Sequence, residues 1–287
     1  MWAILKRELN NYFNTFSGYA FLGFFVLITG YFFVGQNVEA YSGNYNDVLI
    51  ASMIMFLILV PVLTMRLFAE DSRQKTDQLL YTSPVSVTGI VMGKFFAAVI
   101  LFLIGLLITM LFPFMLSRYG SIDTGVIAGC VFGYFLMGAC LISVGLFISV
   151  LTDNQIVAAA GTFAVLFLLL MIDNIAMSAP ISRQSSVLFA VALAVAVVVI
   201  AFSSSKSIPV AIIFAIVGGV IIALTYALVP TIYDGLIYNV LGWISVLSRF
   251  ENFYLGSFGI SDIVYYITFM FAFLYLTANV IEKRRWN

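Results

Sequence analysis

MRLFAEDSRQKTDQLLYTSP, Met65 to Pro84, is a charged amphipathic island in a chain of 287 residues that is 63% hydrophobic and only 9% charged. It separates two charge-free runs, Val48 to Met65 and Phe95 to Ser117. Each is long enough to cross a bilayer as a helix, which takes roughly 20 apolar residues. Further uncharged runs follow the same rule: Ser17 to Asn37, Thr124 to Thr152, Asn154 to Ile172, Gln184 to Ser205, Ser207 to Tyr233 and Ile263 to Ile281. The pattern predicts an all-α polytopic membrane protein with about eight transmembrane helices. A shorter apolar run, Gly235 to Ser248, reads as one interfacial or re-entrant helix before the last span, with Tyr238 and Trp243 suited to an interface.

Composition narrows the chemistry. The chain has no histidine, which excludes His-based triads and His-ligated metals or haems. It carries no phosphate-binding G-x-x-x-x-G-K-[ST] loop, so any ATP used here is bound by another chain. Cys130 and Cys140 share one apolar run and read as small packing residues. Nothing in the charge pattern points to nucleic acid.

Orientation follows from the basic residues, which favour the cytoplasmic side of short loops. Placing the N-terminus inside puts ten of the thirteen there, leaving only Arg118, Arg183 and Arg249 outside. Both termini are therefore expected in the cytoplasm. Residues 1–16 do not resemble a cleavable signal peptide. Trp2, Leu5, Leu9, Tyr12, Phe13 and Phe16 recur at helical spacing opposite Lys6, Arg7, Asn10, Asn11 and Asn14. That pattern fits a helix lying in the headgroup region, or else a cytoplasmic extension of the first span.

Within the island, Glu70, Asp71, Arg73, Lys75, Thr76, Asp77 and Gln78 precede the apolar Leu79 and Leu80, and Thr82-Ser83-Pro84 is a helix-ending signal. Read from the residues alone, this is either a docking helix or a solvated loop whose charges set topology. A sequence resemblance favours the first. Pro61-Val62-Leu63-Thr64-Met65-Arg66-Leu67-Phe68-Ala69-Glu70-Asp71, then Thr76 to Val85, then Gly93-Lys94-Phe95, resembles the permeases of ABC-2 type transporters, in particular the gliding-motility-type and nitrous-oxide-reductase-maturation-type branch. Arg249-Phe250-Glu251-Asn252-Phe253, Gly259 to Tyr266 and Glu282-Lys283-Arg284-Arg285-Trp286 resemble that branch's last outer segment and C-terminus. Lys75 stands where the family usually has Gly, and Gln78 where it often has Glu.

The resemblance implies one permease domain in a bacterial inner membrane, paired with a second permease subunit, identical or homologous, and with two separate ABC ATP-binding subunits. ATP and Mg would sit on those partners; this chain would bind no cofactor and would not be an enzyme. Glu70 to Leu80 would form the coupling helix seated in the ATPase, with Leu79 and Leu80 as anchors. Arg249, Phe250, Glu251 and Phe253 would form an outer contact for an accessory membrane or periplasmic protein. Relatives have six spans, so Ala179 to Asp234 reads as an inserted transmembrane hairpin, either peripheral or packed on the core, a partner or a lipid-like substrate. Two rival readings remain: an ATP-independent transporter or scaffold, and an ABC subunit that transmits force to a periplasmic partner.

Overall fold

Pro113 shows how this sequence organises its helices. The computed structural model describes residues 1–76, 85–120, 122–180, 182–228 and 230–286, and all the regular structure among them is helical. Helix α1 spans Trp2–Asn14, α2 Phe16–Phe33, α3 Asn46–Ser52, α4 Phe56–Thr64, α5 Ala69–Arg73, α6 Val87–Thr109 and α7 Leu111–Leu116. Pro113 lies in α7, and a proline ring denies a hydrogen bond to the carbonyl four residues earlier. That carbonyl belongs to Thr109, and the fully buried Tyr45 hydroxyl donates to it at 3.3 Å. The span therefore breaks between α6 and α7 without stranding a buried acceptor. The second span is interrupted as well, with a 3-10 turn at Met53–Met55 between α3 and α4, and Pro61 inside α4.

Then follow α8 Thr124–Leu151, α9 Gln155–Ser178, α10 Arg183–Ser205, α11 Ile208–Leu228, α12 Leu236–Ile244, α13 Val246–Tyr254 and α14 Ile260–Trp286. Side-chain caps fix the starts of two of the long helices: Ser86 accepts from the Gly89 N–H before α6, and Asp123 accepts from the Gly125 and Val126 N–H groups before α8. Seven helical stretches among the described residues are long and apolar enough to cross a membrane. The eighth expected span is present as α10, whose apolar described portion, Arg183–Val199, falls short of that length. The run expected to form one short helix forms two, α12 and α13, because Ser245 between them is extended.

Contacts divide the chain into two compact units, Met1–Leu168 with Val246–Asn287, and Leu169–Ser245. In the first, α8 is the hub, packed by α3, α4, α6, α13 and α14. Its glycines admit neighbours closely: a Cβ at Gly138 would overlap the Phe102 ring, and one at Gly133 would overlap Phe253. Phe102 meets Phe25 and Phe56 edge-on, each at 5.7 Å between ring centres. The second unit contains the α10–α11 hairpin, turned at Lys206, and α12. The expected insertion, residues 179–234, lies inside it.

Candidate functional site

The Lys94 side chain is buried in the first unit, 1% exposed, and a buried ammonium must be both paired and hydrogen-bonded. Its Nζ lies 2.9 Å from Glu8 Oε1 and 2.6 Å from Asp71 Oδ2, and it donates to the Leu67 carbonyl. The Phe68 ring covers it, 5.1 Å from centre to Nζ. Arg7 completes a balanced quartet, 2.6 Å from Glu8 and 3.4 Å from Asp71. Lys94 comes from the first third of α6, Glu8 from α1 and Asp71 from α5, so three elements distant in sequence meet on one nitrogen.

Helix α5 and the chain leading into it are held from several elements. Ser149 of α8 places its Oγ 3.2 Å from both the Phe68 and Ala69 N–H groups, accepting from the donors that a helix start leaves unpaired. The buried Tyr12 hydroxyl of α1 donates to the Leu63 carbonyl at 2.9 Å. Burial raises the pKa of that phenol, which keeps it a donor. From α14, Arg284 reaches Ser72 Oγ and Asp153, both at 3.4 Å.

The end of α5 is a turn that strains the lysine it carries. Thr76 N–H bonds the Asp71 carbonyl and Lys75 N–H the Ser72 carbonyl, the paired bonds of a Schellman stop. In that motif the first residue beyond the C-cap is left-handed, and Lys75, which follows Gln74, has φ +57°. Glycine adopts that conformation without steric cost, whereas a lysine holds it under strain. Lys75→Gly is expected to leave stability unchanged or raise it by about 0.5 kcal/mol, and Lys75→Val to lower it by about 1–2 kcal/mol. Thermal unfolding of the two purified variants in one detergent checks the order.

The residues expected to dock divide accordingly. Arg73 and Lys75 are exposed and Glu70 is half-buried, with Gln74 donating to it at 3.3 Å. Asp71 faces Lys94, and Thr76 Oγ1 lies 3.3 Å from Asp71 Oδ1. Asp77, Gln78, Leu79 and Leu80 lie outside the described residues. Glu8 and Lys94 are not among the expected site residues; Gly93-Lys94-Phe95 in the motif is the signal that points near them.

A second polar cluster sits near the other end of α8. Gly133, against which α13 packs, and Ser149, which holds α5, are separated by about 24 Å at 1.5 Å per residue. Asp262, 1% exposed, accepts from Arg249 at 3.3 Å and from Asn252 at 2.8 Å, and Arg249 lies 5.5 Å from the Tyr265 ring centre. Tyr254 donates to Asp47 at 2.8 Å, tying α13 to the start of α3. Of the four residues expected to make an outer contact, Phe250 and Phe253 are buried, Arg249 is half-buried in this network and Glu251 is exposed. Among the described residues no group of acidic or cysteine side chains is placed to hold a metal ion.

Residues 36–186 match the family model described as ABC-2 family transporter protein. The matched stretch runs from the end of the first span through α5, α6 and α8 to the first turn of α10, more than half of the chain. Glu8 and Arg284 lie outside it. No curated protein and no solved structure matches the chain.

Proposed function

The chain belongs to the ABC-2 transporter family, and we propose that it is the permease subunit of an ATP-driven exporter, of the gliding-motility-type or nitrous-oxide-reductase-maturation-type branch. In this reading separate ATP-binding subunits dock on the segment that begins with α5, a second permease subunit completes the pathway, and the assembly sits in a bacterial inner membrane with both termini in the cytoplasm. ATP and Mg belong to the docked subunits.

The observation that carries this reading is the Glu8–Lys94–Asp71 network. A coupling element has to be exposed to its engine on one side and rigidly joined to the membrane helices on the other. Helix α5 has both properties: Arg73 is exposed, while Asp71 is joined through Lys94 to α6 and α1, and the α5 start is bonded to α8. Closure of an ATPase pair against α5 would then displace α1, α6 and α8 together. The force path is short because every joint in it is a direct hydrogen bond.

The test is co-purification in mild detergent from the native host. Glu70→Lys with Arg73→Glu reverses the charges on the reachable side of α5 and leaves Lys94 and Asp71 in place. The expected result is an ATP-binding subunit at stoichiometric yield with the wild-type chain and at least a tenfold lower yield with the double variant. Equal recovery with both chains would remove α5 as the docking element. An intact wild-type preparation without any ATP-binding subunit would favour an ATP-independent membrane protein.

A further inference from the structure

Between α10 and α11 lies an open groove of about 1130 Å³ that the transporter reading does not use. All of it lies in the second unit. It is lined by the apolar Val187, Val191, Val195 and Ile222, by the small Ala194 and Gly219, and by the charged pair Arg183 and Asp234 at the start of α10. The volume exceeds the roughly 300–1,000 Å³ of sites for compact small molecules. The shape is elongated: from Arg183 to Val198 the lining residues of α10 extend about 22 Å at 1.5 Å per residue. That is longer than the roughly 15 Å half-thickness of a hydrocarbon core. A slot this long and this apolar fits an acyl chain running from the interface past the bilayer centre.

The charged pair selects the head. Arg183 Nε and Nη2 bind the two carboxylate oxygens of Asp234, each at 3.0 Å, and both side chains remain close to half exposed. The guanidinium still presents its Nη1 donors away from that fork, and the carboxylate keeps further lone pairs. Arg183 holds the Asp234 carboxyl below the usual carboxylate range through those hydrogen bonds. Tyr226 lines the same end and Tyr233 lies 6.0 Å from it between ring centres. Tyrosine is enriched at the headgroup level of membrane proteins. A fixed pair of opposite charges attracts a head that carries both signs, phosphate toward Arg183 and ammonium toward Asp234, whereas a head with one net sign meets repulsion from one partner.

We propose that this groove is a binding site for a zwitterionic phospholipid of the surrounding bilayer, with an acyl chain between α10 and α11 and the head across the Arg183–Asp234 pair. Such a lipid would be an integral part of the hairpin, filling a space that its own side chains leave open. The site stands independently of ATPase docking, since it shares no residue with α5.

The experiment is native mass spectrometry of the full chain after exchange into detergent micelles containing equal amounts of phosphatidylethanolamine and phosphatidylglycerol. Gly219→Phe is the blocking variant, because nothing lies within 4 Å of a Cβ built there and the ring can enter the groove without displacing the chain. Arg183→Gln with Asp234→Asn removes the charges and keeps the shape. The expected result is one retained phosphatidylethanolamine per wild-type chain, at least fivefold preferred over phosphatidylglycerol. Retention should fall about tenfold in Gly219→Phe, and the preference should vanish in the double variant. A wild-type chain without retained lipid would overturn the proposal, as would equal retention by Gly219→Phe, or a stoichiometric polypeptide that lipid does not displace. If Gly219→Phe fails to fold, Val195→Trp blocks the same slot from the other helix, and undiminished retention there overturns the proposal in the same way.

Discussion

Replacing Lys94 by Met is expected to lower stability by about 3–5 kcal/mol, the range for breaking a buried ion pair from one side. The cost comes from what remains. Glu8 and Asp71 are largely buried, with side chains 9% and 20% exposed, and without the ammonium each loses its buried counter-charge. Arg7 stays bonded to Glu8 at 2.6 Å and lies 3.4 Å from Asp71, which places the expected loss toward the lower end. The Leu67 carbonyl also loses its donor. Lys94→Arg is no remedy, because a planar fork cannot occupy the position of a compact ammonium enclosed by Phe68 and Leu67.

Adding Glu8→Gln and Asp71→Asn to Lys94→Met removes the stranded charges, and most of the lost stability should return because these residues act as one unit. The comparison separates two roles. Heating followed by size-exclusion chromatography reads folding in all three chains, while ATP hydrolysis by the assembled complex reads coupling. A rigid joint between α5 and α6 predicts that the triple variant folds but no longer alters the activity of a docked ATPase. A single Lys94→Met chain as heat-resistant as wild type would show that the network does not hold α5.

Gly133→Val is expected to lower stability by about 1–3 kcal/mol through overpacking. The first added atom would overlap Phe253 at Cβ and Cγ. A ring can rotate away from an intruder at its far edge, but not from one at its root. Phe253 is 1% exposed and meets Phe132, Phe258 and Tyr266, so α13 as a whole would have to move. Such a shift would also strain the Arg249–Asp262 pair and the bond from Tyr254 to Asp47. Gly23→Val is the matched control, since nothing lies within 4 Å of a Cβ there, and its effect should stay within about 0.5 kcal/mol. Thermal unfolding of both variants tests the contrast; equal midpoints would mean that α13 does not pack tightly on α8.

Much of the architecture is legible in the chain because membrane spans are a one-dimensional property. The uncharged runs have to be helices, since lipid offers no partner for backbone groups, and their lengths place α2, α8 and α14 to within a few residues, whereas α6 begins at Val87, eight residues before the run Phe95 to Ser117, because its charged Lys94 is buried and paired. The run 235–248 reads as one helix and folds as two because apolar composition does not reveal that Ser245 is extended. The docking island is visible through its charge and its motif, yet its charges look equivalent along the chain. Nothing local distinguishes Asp71, which faces Lys94, from Arg73, which is exposed.

The residues by themselves determined that this chain crosses a membrane many times, that its charges gather at helix ends, and that it carries the ABC-2 motif around Met65 to Pro84. Only the tertiary structure decided which charges are joined. Lys94 and Glu8 are 86 positions apart, and no spacing rule connects them. Their meeting follows from packing: once α1, α5 and α6 converge, an ammonium withdrawn from water must take its partners from whatever those helices bring to it.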